Sequence, residues 1–250
     1  MKILIAATLA LAATCAQAAQ FNVLVFSKTG GWHHDSIPAG VDAIKDLGKL
    51  HDFTVFWTED PNRVFNDKEL GKYQAVVFLL TTGDILNADQ KAAFERYIKA
   101  GGGYVGVHSA SDTEYGWPWY TQLVGHMFYV HPAIQTAVLK VEDRHFPGME
   151  RWAARNLWTE EWYEFMPPTS NKLKYLLTVD ESTYKPETKW PGKEGKGMGK
   201  FHPISWYQSY DGGRSFYTAL GHLPATYSDP LFRHHLFGGI YWAATGRGLE

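Results

Sequence analysis

The sequence predicts an α/β protein built on a doubly wound, mostly parallel sheet with helices on both faces. Three observations carry this. Phe21–Ser27, Tyr73–Leu80 and Tyr104–Val107 are short apolar runs without alternation, as in strands buried on both faces. Helical periodicities separate them in the order that parallel crossovers require. Each run stops at a polar loop, and open sheets of this kind bind ligands at the carboxyl ends of their strands.

The elements follow in order. Phe21–Ser27 is the first strand, ending in the loop Lys28-Thr29-Gly30-Gly31-Trp32-His33-His34-Asp35-Ser36. Ser36 is placed to cap a helix that starts with Ile37-Pro38 and shows Val41, Ile44 and Leu47 on one face. Phe53–Trp57 and Tyr73–Leu80 are the next strands, the latter ending in Thr81-Thr82-Gly83-Asp84. Asn87 and Gln90 have the spacing of a capping box, opening a helix through Phe94, Tyr97 and Ile98 that stops at Gly101. The fourth strand then runs into Gly106-Val107-His108-Ser109-Ala110-Ser111-Asp112, followed by Trp117-Pro118-Trp119-Tyr120.

In the second half, strands are expected over Ile134–Glu142 and Leu173–Val179, with the acidic aromatic stretch Thr159–Phe165 between them. Residues 184–200 are rich in Pro, Gly and Lys and lack periodicity, predicting a flexible surface loop. Ile204–Tyr210 and Arg214–Leu220 predict a hairpin around Asp211-Gly212-Gly213, which leads to Gly221-His222. Ser228-Asp229-Pro230 opens a last helix that ends near Gly246.

Composition narrows the function. Lys2, the apolar run Ile3–Ala13 and Ala16-Gln17-Ala18 form a secretory signal over 1–18, too short for a membrane anchor, leaving one domain over 19–250 exported to the periplasm. Cys15 is the only cysteine and falls inside that signal, so the mature chain has no disulfide, thiolate metal site or cysteine nucleophile. Lys+Arg 24 against Asp+Glu 26, with no basic stripe, argues against nucleic acid and anionic membranes as partners. Ten tryptophans within a 15% aromatic content suit both core packing and stacking on sugar rings.

Three strand ends deliver polar groups to one edge: His33 and His34, Thr81 to Asp84, and His108 to Asp112. His108 stands between glycine-framed strand and turn, at a nucleophile elbow whose tip is neither Ser nor Cys. A following helix would disfavour the imidazolium there and leave a neutral ring fit for general-base or electrophilic work. His222 repeats the strand-glycine-histidine arrangement, and Glu161 between aromatics reads as a partner acid whose apolar surroundings raise its pKa. Catalysis is therefore expected from His108, Glu161 and His222. Substrate contacts are expected from His33, His34, Asp84, Ser109, Asp112, Trp117, Trp162, Tyr163, His202 and Arg214, with His126 and His131 shaping the pocket.

Several of these groups also have structural readings: Asp112 as a helix cap, Arg214 in an ion pair, and His222 as a core histidine. Nothing in the sequence requires a cofactor. Tight metal-ligand spacing is absent, and the adjacent rings of His33-His34 or His234-His235 do not easily share one ion. A divalent metal would have to be gathered across strand ends, from His33, His108 and His222.

Thr81-Thr82-Gly83-Asp84, Gly102 to Ala110, Asp112-Thr113-Glu114, His131-Pro132, Glu161-Trp162-Tyr163, His202-Pro203-Ile204, Gly213 to Thr218 and Gly221-His222, taken together, resemble the trehalose-utilisation (ThuA-like) family. The likeness runs from about Val23 to Ala243. It implies a flavodoxin-like fold akin to class I glutamine amidotransferases, with His108 where those enzymes carry a catalytic cysteine. It also implies a small-molecule carbohydrate substrate: trehalose, a related disaccharide or a 3-keto derivative. Three positions depart from the family pattern. Phe201 stands where an aspartate usually precedes His202-Pro203, Glu160 where an aspartate usually precedes Glu161, and His33 where a basic residue usually precedes the loop histidine. Two readings follow, an exported enzyme that cleaves or isomerises the sugar and a protein that binds a sugar or a partner in the same pocket. Amidotransferase activity is excluded for want of a cysteine.

Overall fold

The computed structural model describes residues 19–249, so the expected leader lies outside them. The strands are β1 (Asn22–Phe26), β2 (Thr54–Thr58), β3 (Ala75–Leu79), β4 (Gly103–Val107), β5 (Phe128–Val130), β6 (Gln135–Val141), β7 (Arg155–Glu160), β8 (Glu164–Phe165), β9 (Lys174–Asp180), β10 (Thr188–Trp190), β11 (Lys193–Gly195), β12 (Pro203–Tyr210) and β13 (Gly213–Thr218). The helices are α1 (Ile37–Leu50), α2 (Asp67–Leu70), α3 (Ala88–Lys99), α4 (Pro118–Val124) and α5 (Pro230–Thr245).

Nine strands form one sheet in the order β2-β1-β3-β4-β13-β12-β9-β6-β7. From β2 to β13 the neighbours are parallel, and from β13 to β7 they are antiparallel. The sheet is thus an α/β sheet of mixed direction, parallel where continuous apolar runs predicted it. β3 and β4 are buried at every residue.

Both faces are covered, and β4 shows how. An added Cβ on Gly103 would lie 2.2 Å from the Ala243 carbonyl of α5, so only glycine allows that helix to approach so closely. The next side chain, Tyr104, points to the opposite face and meets Phe94 of α3 and Tyr120 of α4. Val105 and Val107 continue the buried pattern up to the carboxyl edge.

Local signals held at most boundaries. The Asn87/Gln90 capping box is present at α3, and Asp229 accepts from the N–H groups of Leu231 and Phe232 at α5. β12 and β13 pair antiparallel around Asp211 and Gly212, both at positive φ. Two expectations fail. The Ser36 side chain makes no cap at α1; its hydroxyl donates to the Gly221 carbonyl at 3.3 Å, tying the first loop to the last strand end. Residues 184–200 are not structureless, because β10 and β11 form a hairpin that turns at Gly192, φ +74.

Among the described residues, no helix is long and apolar enough to cross a membrane. α5 is instead a core helix, and its His235 is fully buried, with Nε2 3.0 Å from the Ser205 hydroxyl. Burial lowers the His235 pKa from 6.5 to about 3. The unfolded chain therefore binds a proton that the folded chain refuses once pH falls below about 6.5, so stability is lost as pH drops toward 3. We expect this group to remove on the order of 1 kcal/mol of stability per pH unit between pH 6 and 4. Urea unfolding of wild type and His235→Asn at several pH values checks it: the variant should show the shallower acid slope, and equal slopes would exclude His235 as the cause.

Candidate functional site

The parallel strands end on one edge, and their loops bring four groups together. His34 comes from the loop after β1, His108 follows β4 directly, His222 follows β13, and Glu161 follows β7. One ligating atom from each lies within 4.8 Å of the others. β7 is the far edge strand of the sheet, yet residues 161–163 run back along its carboxyl edge. The Trp162 indole donates to the Gln135 carbonyl at 2.9 Å, and His202 Nε2 meets the Tyr163 carbonyl at 2.7 Å, fixing this strap to its neighbours.

His108 has φ +52, a left-handed conformation costly for a residue with a Cβ, so the elbow expected from its glycine frame is present. Its Nδ1–H donates to the Ala219 carbonyl at 2.8 Å, which leaves Nε2 facing the cluster. Nε2 lies 2.8 Å from the Tyr163 hydroxyl, 3.2 Å from His222 Nδ1 and 3.4 Å from Glu161 Oε2. The element that follows is a five-residue 3₁₀ turn, so the long helix dipole expected behind His108 is absent. The ring is 0% exposed and forms the floor beneath the cavity rather than its lining.

Glu161 is the hub. Oε2 is 3.1 Å from His222 Nδ1 and Oε1 is 3.2 Å from His131 Nε2. Burial pushes the carboxyl up, but the adjoining His108 and His222 imidazoles and the nearby His131 outweigh it, and Glu161 sits well below the usual carboxylate range. This reverses the direction expected from its aromatic neighbours. Burial lowers His222, yet the Glu161 carboxylate wins and raises it overall. His34 moves the other way, down to about 3, because burial and the neighbouring His108 and His222 all oppose its charge.

Above this floor opens a cavity of about 460 Å³. Trp32, Phe128, Tyr163 and Trp190 wall it with aromatic surface, and His34, Asp112, His131, Glu161 and His222 supply polar groups. Asp112 accepts from the Tyr115 hydroxyl at 2.7 Å, and burial raises its pKa against that bond. Burial lowers the His131 pKa although Glu161 opposes the shift, which favours a neutral ring. Burial and the surrounding carboxylates push the Tyr163 phenol well above 10, so it keeps its proton.

Several expected residues lie elsewhere. His33 is exposed and meets the Thr29 hydroxyl at 3.2 Å; His34 is the loop histidine that turns inward. The Asp84 side chain is exposed, although its loop is tied to the His108 turn by backbone bonds Gly83 N to Asp112 O and Glu114 N to Gly83 O. Ser109 lies 3.4 Å from His34 Nδ1 and supports that ring from behind. Trp117 is packed on Trp119 and Tyr120 and donates to Glu95, away from the cavity. Trp162 is a buried anchor of the strap. His202 supports Tyr163 from below, and His126 is held between the Met166 carbonyl and the Tyr175 hydroxyl. Arg214 sits at the amino end of β13 and donates to the carbonyls of Gly101, Ala243 and Ala244, a structural clamp at the opposite edge of the sheet.

The sequence reading overlooked Trp32, Phe128 and Trp190 as cavity walls. In the sequence Glu160 stands out only as a departure from the family pattern. Glu160 is 1% exposed and accepts from the backbone N–H groups of Glu161, His222 and Gly221 at 3.2, 3.1 and 3.0 Å. The adjacency of two glutamates after a strand was the available signal, since only one of them can face the same side.

A family model described as ThuA, trehalose utilisation, matches residues 22–243. Among solved structures, a ThuA-like protein from Bacteroides uniformis is 21% identical, covers 93% of this chain and 94% of its own, and superposes with a TM-score of 0.74. A second, from Parabacteroides merdae, is 20% identical, covers 92% of each chain and also gives 0.74. These likenesses establish the fold. No curated protein matches the chain.

The buried acceptor role of Glu160 gives a direct test. Glu160→Gln presents an amide N–H to one of the backbone donors, and we expect it to cost about 1–3 kcal/mol of stability. The His222 and His108 imidazole resonances should shift in the same protein, as read by NMR alongside denaturant unfolding. Unchanged stability with unchanged imidazole signals would show that Glu160 does not hold the site.

Proposed function

Because the chain belongs to the ThuA (trehalose utilisation) family, a carbohydrate-related role is its premise, and we propose that it is an enzyme acting on a disaccharide or its 3-keto derivative. The observation that carries this reading is the aromatic-walled cavity closed below by imidazoles and a carboxylate. Aromatic faces stack on the apolar faces of sugar rings, while a few convergent polar groups orient the hydroxyls. The volume of about 460 Å³ falls in the range of small-molecule sites.

The chemistry differs from the sequence expectation in which group moves the proton. His108 is buried beneath Tyr163, so direct abstraction by it would require Tyr163 to leave. His131 and Asp112 line the cavity instead, one favoured as a neutral imidazole and the other a carboxyl raised by burial. In a 3-keto sugar the C2 proton is acidified by the adjacent carbonyl. His131 takes that proton, the electron pair forms the C1–C2 double bond, and the C1–O glycosidic bond breaks as the leaving oxygen receives a proton from Asp112. Water later adds to the unsaturated ketone. The Tyr163 hydroxyl keeps its proton and directs it to His108 Nε2 at 2.8 Å, which fixes the ring as an aromatic face on the cavity wall.

Incubating purified protein with trehalose and with 3-keto-trehalose tests this. Turnover of the oxidised sugar alone is expected, with His131→Ala lowering kcat at least about 100-fold while sugar affinity stays within a few-fold. No product from either sugar would overturn the reading. A His131→Ala protein that turns over normally would reject the assigned base, and loss of affinity without any turnover in wild type would indicate a binding protein.

Export through residues 1–18 belongs to the same proposal, supported by the charged start, apolar run and small residues ahead of Ala19. Mass spectrometry of the protein recovered from a periplasmic fraction should give an amino terminus at Ala19; an intact Met1 would refute it.

A further inference from the structure

We propose that His34, His108, Glu161 and His222 form a site for one divalent transition-metal ion, open on the side that faces the cavity. The inference deepens the enzymatic reading and uses none of the groups assigned there to proton transfer.

The spacing is that of a coordination shell. His108 Nε2 to His222 Nδ1 is 3.2 Å, His222 Nδ1 to Glu161 Oε2 is 3.1 Å, and His108 Nε2 to Glu161 Oε2 is 3.4 Å. Ligands about 2.0–2.1 Å from a central ion stand about 3.4 Å apart in a tetrahedron and about 3.0 Å apart along the adjacent edge of an octahedron. These three atoms therefore already outline one triangular face of such a polyhedron. A ligating atom of His34 falls within 4.8 Å of all three, so a shift of its ring by a few tenths of an ångström toward the others completes the four-member set.

Protons account for the arrangement less well than a cation does. With the Nδ1 proton of His108 on the Ala219 carbonyl, Nε2 presents a lone pair. The Tyr163 hydroxyl and His222 Nδ1–H are the donors beside it, and neither lies between Nε2 and Glu161 Oε2. With His108 neutral, two acceptors, its Nε2 and Glu161 Oε2, thus stand 3.4 Å apart. An ion seated against that face turns the repulsion into ligation.

The surroundings match what ligands of an ion require. His108 is oriented through its other nitrogen by a backbone carbonyl, and His34 Nδ1 has the Ser109 hydroxyl at 3.4 Å. Glu160 pins the backbone N–H groups of Glu161 and His222 together. Three imidazoles, one carboxylate and no thiolate favour zinc, manganese, iron, cobalt or nickel over calcium and magnesium. His34, Glu161 and His222 also line the cavity, so a coordination position is left for a carbonyl or hydroxyl oxygen of the sugar.

The test uses untagged full-length mature protein, stripped with chelator and titrated with Zn²⁺, Mn²⁺ and Co²⁺ by calorimetry. One equivalent per chain is expected for at least one of them, and Co²⁺ should develop visible d–d bands. His222→Ala and Glu161→Gln should each weaken binding at least about 100-fold, while His33→Ala, at an exposed neighbour outside the set, should bind as wild type does. Should either variant fold poorly, imidazole NMR of wild type with Zn²⁺ decides, since His34, His108 and His222 must shift and His33 must not. Absence of stoichiometric binding, binding indifferent to His222 and Glu161, or shifts confined to other histidines would overturn the site. Turnover of 3-keto-trehalose by chelator-stripped protein would reject the metal's part in the reaction and leave the enzyme reading standing. One bound metal without any turnover would do the reverse.

Discussion

The site depends on a carboxylate that does not face it. Glu160 is buried, and an ion in that setting costs several kcal/mol unless its lone pairs are occupied. Gly221, His222 and Glu161 occupy them with backbone N–H groups, and the Thr226 hydroxyl adds a contact at 3.4 Å. Two of those donors belong to the loop after β13 and one to the strap after β7. One side chain thereby fixes the distance between the end of the parallel half and the end of the antiparallel half of the sheet. Glu161 and His222 reach each other because their backbones share this acceptor.

A second constraint runs through the other strand ends. The left-handed turn at His108 lifts its ring out of the line of β4 and lets Nδ1 reach the Ala219 carbonyl on the neighbouring strand end. Glu114, a few residues on, accepts from the N–H groups of Ile85 and Leu86 and pairs with Lys91, so the loop after β3 is tied to the same turn. Thr81 and Thr113 add a hydroxyl contact at 2.9 Å. The Thr82 hydroxyl donates to the Trp32 carbonyl, which anchors the loop that carries His34. Four loops are thus coupled by short polar links at one sheet edge, which is how side chains remote in sequence hold a common site.

Much of this was legible in the sequence because the parallel half obeys local rules. Uninterrupted apolar runs, a capping box and glycine-framed strand ends each have a short-range cause, and they placed His108 and His222 at the carboxyl edge. The choice between His33 and His34 has no such cause. It depends on the backbone of a loop held by Thr82, fifty residues away. Aromatic residues misled for a related reason: Trp117 and Trp162 are of the same kind as cavity walls, but their indole N–H groups find the half-buried Glu95 and the Gln135 carbonyl instead. Arg214 illustrates strand polarity. It lies on the strand that delivers His222 but at its other end, so sequence proximity to the site became spatial distance. Trp190 was hidden because a three-residue strand in a Lys- and Gly-rich segment gives almost no periodic signal.

The substitution at Phe201 shows why a departure from a family pattern must be read in three dimensions. A missing aspartate beside His202 suggested a lost acid. Phe201 instead turns outward, 47% exposed, with its ring edge on Tyr175. His202 meets the Glu181 carboxylate at 2.7 Å through Nδ1 and the Tyr163 carbonyl at 2.7 Å through Nε2, so a carboxylate reaches it from the end of β9. Glu181 also accepts from the backbone N–H groups of Met198 and Gly199, and its pKa is lowered, burial being outweighed by these bonds and by His202. The same residue therefore holds the base of the segment bearing Trp190 and, through His202, the strap bearing Tyr163. Two aromatic walls of the cavity, drawn from stretches that share no local pattern, are set by one glutamate that touches neither.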